Sequence, residues 1–170
     1  MLVAALLSLT IAGPAEIDPL APAREGMAQC YRPNKAARTC GALATYEFHA
    51  DGTITNHATL ALLDEPLIIM RSAAPVYVRD GAECSDVDPH TVDFKFEVDG
   101  QPADAATAAE LRELFLQAVD QLPDGLYCTT YHPNGDGTLT ARVTIDGERW
   151  PEGDDAILWV NPAEGWKVAP

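Results

Sequence analysis

The chain predicts an α+β domain in which an antiparallel, hairpin-rich sheet is packed by one main helix (about 108–122) and a short N-terminal helix (about 35–43), with two disulfides. Three observations carry that expectation. Asp51-Gly52, Asp80-Gly81, Asp99-Gly100, Asp136-Gly137 and Asp146-Gly147 each separate stretches of strand character, and Asp-Gly suits the positive φ angles of tight hairpin turns. One long segment alone repeats its apolar residues at helical spacing. Four cysteines, Cys30, Cys40, Cys84 and Cys128, form an even set in a chain that begins like an exported protein.

Met1 to Ala15 reads as an export signal. The apolar run Leu2 to Ala12 is too short to span a bilayer and ends in Gly13 and Ala15, small residues at the positions a signal peptidase reads. Cleavage is expected after Ala15, giving a periplasmic or secreted protein with no membrane insertion afterwards. Pro14, Pro19 and Pro22 make residues 16–22 an extended tether, and residues 23–170 are read as a single domain.

Asn34 is a candidate N-cap for the short helix from Lys35 to about Leu43. The hairpin that follows has its register set by its apolar residues. A three-residue loop, Ala50-Asp51-Gly52, groups Tyr46 and Phe48 with Ile54, Ala58 and Leu60; a two-residue loop would scatter them over both faces. The outer face then carries Thr45, Glu47, His49, Thr53, Thr55 and His57. His49 and His57 stand four strand positions apart, about 13 Å, too far to share a metal ion.

The main helix is expected to start at a Thr107-x-x-Glu110 capping box, to bury Leu111, Leu114, Phe115, Ala118, Val119 and Leu122, and to end at Pro123-Asp124-Gly125. After it, Thr130-Tyr131-x4-Asp136-Gly137-Thr138 repeats Thr45-Tyr46-x4-Asp51-Gly52-Thr53, which suggests two duplicated helix-plus-hairpin halves. Near the C-terminus, Ile157 and Trp159 alternate with Leu158 and Val160, as in a strand buried on both faces.

Cysteine spacing favours Cys30–Cys40 as a local bridge and Cys84–Cys128 as a long-range one, tying the strand after Gly81 to the strand after the main helix. No metal site is expected, because zinc-type ligand spacing is missing. Neither a cofactor nor a nucleophile is expected, since dinucleotide, phosphate-loop and nucleophile-elbow motifs are missing too. Weak catalytic candidates are His132, Tyr131 and Asp136, which one hairpin brings near each other in sequence.

The net charge is -15, and residues 80–170 hold 19 acids against 5 bases. That balance excludes nucleic acid, whose phosphates need clustered Lys and Arg. It points instead to an acidic recognition surface with Asp86, Asp88, Asp154 and Asp155, able to meet divalent cations or a cationic partner, and flanked by Trp150 and Trp166 as aromatic contacts for a protein, peptide or glycan. The function expected is that of an exported, non-catalytic binding or accessory protein; the alternatives are a small hydrolase-like enzyme built on His132 or a secreted protein inhibitor.

Overall fold

A computed structural model describes residues 18–170. The elements in chain order are α1 (Ala21–Arg24), β1 (Ala28–Tyr31), β2 (Thr39–Cys40), β3 (Ala42–Phe48), β4 (Ile54–Leu63), β5 (Ile68–Arg79), β6 (Ala82–Ser85), β7 (Lys95–Val98), β8 (Gln101–Pro102), α2 (Ala105–Val119), β9 (Tyr127–Pro133), β10 (Leu139–Ile145), β11 (Glu148–Arg149), β12 (Asp155–Val160) and β13 (Lys167–Val168). The export signal lies outside the described residues.

The expected open sheet with helices on its face is overturned: the protein is mostly β, and eight antiparallel strands close into a barrel. The path runs β4-β3-β1-β12-β10-β9-β6-β5, and β5 returns to pair with β4. Closure has a physical cause in the sheet's apolar face, which must be covered by something. The helices are too few for that. In α2 only Leu116 is buried, and Leu114 is 63% exposed. The sheet therefore covers its own inner face by curling, which also removes its open edges.

The short helix at 35–43 does not form. Asn34 Oδ1 does accept the Ala37 N–H at 3.1 Å, but it stabilises a single turn, after which the chain enters β2 and β3. Strand pairing wins because Cys40 is held beside Cys30, and because Ala42, Ala44 and Tyr46 alternate inward against Tyr31 and Gln29 of β1. The main helix forms three residues earlier than expected at each end. Asp104, not Thr107, is its N-cap and accepts the Thr107 N–H at 2.9 Å. The helix packs Ala108, Leu111 and Phe115 on Ile68, Met70 and Phe96, where β4 and β5 run on past the barrel wall and add β7 and β8.

The first hairpin has the expected register: Ala42, Ala44, Tyr46 and Phe48 oppose Leu60, Ala58, Asn56 and Ile54, and this face is the inside of the barrel. The near-repeat is real as turn chemistry. Asp51 and Asp136 each accept the N–H of the Thr two residues on, at 3.0 and 2.9 Å. It does not mark two helix-plus-hairpin halves, because the helix expected directly before the first copy, at 35–43, does not form and strands β1 and β2 stand there instead. Both disulfides pair as expected, with Cα–Cα distances of 5.2 Å for Cys30–Cys40 and 4.1 Å for Cys84–Cys128, and they fit an oxidising, non-cytoplasmic compartment. Among the described residues no helix is long and apolar enough to cross a membrane.

One end of the barrel is sealed. Leu20 is fully buried and packs with Ala23 of α1 against Ile54, Val76, Phe48 and Trp159. The described part of the expected tether is thus a plug, fixed by its apolar residues and by Arg24 stacked 4.1 Å over the Phe48 ring.

Candidate functional site

The opposite end of the barrel is hollow. Ala42 and Ala44 of β3 face Leu60 and Ala58 of β4, and these side chains, most of them reduced to a methyl, leave a cavity of about 290 Å³ whose wall is completed by Tyr31, Arg32, Leu43, Asn56 and Asp155. Eight strands enclose enough room either to be filled by side chains or to hold one small ligand. Here the sealed end is filled by large residues, and the alanines leave space at the other.

Between plug and cavity lies a belt of polar side chains. Glu83, contributed by β6, is 9% exposed. Its carboxylate accepts from Tyr131 at 2.5 Å and from Asn56 at 3.3 Å, and Tyr46 Oη stands 2.8 Å from it. Gln29 of β1, which is 0% exposed, has its Oε1 3.0 Å from Tyr31 Oη and 2.6 Å from Tyr46 Oη, while its Nε2 has no partner. Trp159 closes the belt, its ring centroid 6.4 Å from those of Tyr46 and of Tyr131. Strand alternation explains the arrangement: each of these residues occupies an inward position of its strand.

The electrostatics follow from burial. Loss of hydration pushes the Glu83 carboxyl above the usual glutamate range, against the pull of its bonds from Tyr131, Tyr46 and Asn56. Burial and the nearby carboxylate raise Tyr31, Tyr46 and Tyr131, so all three remain phenols at neutral pH. Tyr46 has a single proton for two acceptors, so the state of Glu83 decides the network. A neutral Glu83 donates to Tyr46, which donates to Gln29 Oε1. An ionised Glu83 accepts a hydrogen bond from the Tyr46 hydroxyl, and Gln29 must then present Nε2 to the two tyrosines. In either arrangement one amide atom is left without a partner, although buried amides are normally satisfied.

Among the residues singled out by sequence, Asp155 lines the cavity rim, 3.9 Å from Arg32. Tyr131 belongs to the belt, but the structure does not bring it together with His132 and Asp136. His132 lies on the outer face, 2.9 Å from Thr130 Oγ1, and Asp136 holds the β9–β10 turn. Asp86 and Asp88 border a separate cleft with His90 and Asp120, whose side chains meet at 2.8 Å. Asp154 is bonded to Arg149 and to the Val143 N–H. Trp150 packs edge-on against Tyr127, and Trp166 packs on the layer around Cys30 and Cys40; both are half-buried. Among the described residues, no three His, Cys, Asp or Glu side chains are grouped to hold a metal ion.

Glu83, Gln29, Tyr31, Tyr46 and Asn56 were missed as site residues. Two signals could have found them: the repeated Thr-Tyr dipeptide, which supplies Tyr46 and Tyr131, and the polar residues Gln29 and Glu83, each followed by a disulfide cysteine on a short apolar strand. No family model, curated protein or solved structure matches the chain.

Proposed function

We propose that the chain is an exported, non-catalytic binding protein of the periplasm or extracellular space that takes a small ligand into the hollow end of its barrel. The observation that carries this reading is the alanine-walled cavity of about 290 Å³ set above a buried polar belt with an unsatisfied amide. Apolar walls with a few fixed polar groups are the usual make-up of a ligand pocket, the walls giving affinity and the polar groups orientation. A barrel meant only for stability gains nothing from leaving such a group unpaired.

The test is a small-molecule screen by thermal shift on the mature protein and on Ala58→Trp, which fills the cavity from the middle of β4. Ligands are expected to raise the melting temperature of the natural protein and to lose that effect in Ala58→Trp while its disulfides and circular dichroism are retained. Equal shifts in the two proteins would place binding elsewhere and reject the reading.

A further inference from the structure

One carboxylate, Asp155, lines the hollow end and a second, Glu83, lies directly behind its lining residue Asn56; neither has a buried counter-charge. The partners of Glu83 are Tyr131, Tyr46 and Asn56, all neutral. At the rim Asp155 meets Arg32 at 3.9 Å, but that arginine side chain is 61% exposed. None of the inward positions of the eight barrel strands is Lys, Arg or His. A carboxylate removed from water must either keep its proton or be matched by a cation, because desolvation of an isolated charge costs more than neutral hydrogen bonds return.

From this arrangement we infer that the hollow end binds a small organic cation, a protonated amine, with its ammonium on Glu83 and Gln29 and its hydrocarbon along Ala42, Ala44 and Ala58. The inference rests on the ligand-binding reading of the barrel. Asn56 is the natural point of entry, since it lines the cavity and its bond to Glu83 is the longest of the three at 3.3 Å. An ammonium that replaces this bond meets an ionised carboxylate. Tyr46 and Tyr131 then both donate to Glu83, Gln29 turns Nε2 toward Tyr46 and Tyr31, and its Oε1 becomes the unpartnered atom. Ligand binding thus supplies an N–H donor to the acceptor that the ionised belt leaves open.

The surroundings favour a cation over its alternatives. Tyr46 and Tyr131 present hydroxyl oxygens to Glu83, and Trp159 packs against both rings, so the groups around the carboxylate are aromatic and oxygen-bearing with no cation among them. An anion would meet Asp155 at the wall and Glu83 behind Asn56, with only the solvent-exposed Arg32 to offset them, and an alcohol would bring one donor and no charge. A cavity of 150 Å³ holds benzene, so the space here suits about a dozen non-hydrogen atoms.

Calorimetric titration of the mature protein near neutral pH decides the matter, using butylamine, 2-phenylethylamine and tryptamine, the alcohols of the same skeletons, and 3-phenylpropionate. At least one amine is expected to bind about tenfold or more tightly than its alcohol and the carboxylate, the difference typical of a hydrogen bond to a charged group. Glu83→Gln should remove that preference, bringing amine and alcohol of one skeleton to similar affinity. Asp155→Asn should weaken amines by a smaller factor, and it keeps the question answerable if Glu83→Gln does not fold. Amines and alcohols bound equally well, with binding lost in Ala58→Trp, would overturn the cation inference and spare the ligand barrel. No binding of any of these probes, together with a small-molecule screen that Ala58→Trp does not alter, would overturn both.

Discussion

The two ends of the barrel are made from the same strands and solve opposite problems. At the sealed end β3 and β4 contribute Phe48 and Ile54, β5 contributes Val76, and the chain N-terminal to β1 folds back so that Leu20 fills what remains. At the hollow end the same two strands contribute Ala42, Ala44 and Ala58, and among the described residues no segment lines the space as Leu20 does at the other end. Between these ends β3 exchanges side-chain bulk for space over a few inward positions, and Tyr46 marks the boundary. The contrast teaches that the cavity is set by side-chain size on shared strands rather than by a separate domain. Stability and binding should therefore be separable by mutation along one strand.

The largest expected effect tests that separation. Leu20→Ala removes a fully buried side chain from a packed end and should cost about 2–5 kcal/mol, read as a lower denaturation midpoint with an unchanged slope. Ala58→Leu at the hollow end enters existing space and should change stability by no more than about 1 kcal/mol while blocking ligand. Similar losses from both substitutions would mean that the two ends are equally packed.

A second prediction concerns the belt and its pH dependence. Because the Glu83 carboxyl lies above its unfolded range, the folded state holds a proton that the unfolded state has released. Stability should accordingly fall as pH rises from the ordinary glutamate range through the raised value, and then level off. Asp18, held down in part by Arg24, and Glu97, held down by Arg71, have the opposite sign: their contribution is lost as pH falls below the usual carboxylate range. The two windows do not overlap. Denaturant midpoints measured in steps from acid to neutral pH should rise first and then decline. Glu83→Gln should abolish the decline and leave the acid limb in place; a decline that persists in Glu83→Gln would assign it to another group.

Much of the local structure was legible in the sequence, and the reason is alternation. The register of β3 and β4 follows from which side chains a three-residue loop places together, and both disulfide pairs follow from spacing. Closure was not legible, because it depends on pairings between segments far apart in the chain, β1 with β12 and β6 with β9, which no local turn or periodicity specifies. The site was hidden for a related reason. Gln29 and Glu83 lie on short strands flanked by Ala28, Cys30, Ala82 and Cys84, a pattern that gives no periodicity until the outer face is known to be buried too. Tyr131 drew attention, but through its sequence neighbours His132 and Asp136, whereas its bonding partner Glu83 is 48 residues away.

The smallest effect compares the two arginines that flank the barrel ends. Arg24 stacks on Phe48 at 4.1 Å and bonds Asp18 at 2.6 Å, so Arg24→Ala should cost about 0.5–1 kcal/mol, the range of a cation–aromatic contact near the surface. Arg32 lies across Gly41, where a Cβ would sit only 2.5 Å from its Nε, and reaches Asp155 at 3.9 Å. That pair is long and exposed, and such pairs contribute little. Arg32→Ala should therefore leave the denaturation midpoint unchanged within error. Its effect should appear in binding instead, since removal of the cation paired with the rim carboxylate leaves Asp155 to an amine ligand and tightens amine affinity by about twofold, more at low salt than at high salt. A loss of stability in Arg32→Ala equal to that in Arg24→Ala would show that the rim is held as firmly as the plug, and the contrast between the two ends would fail at its weakest point.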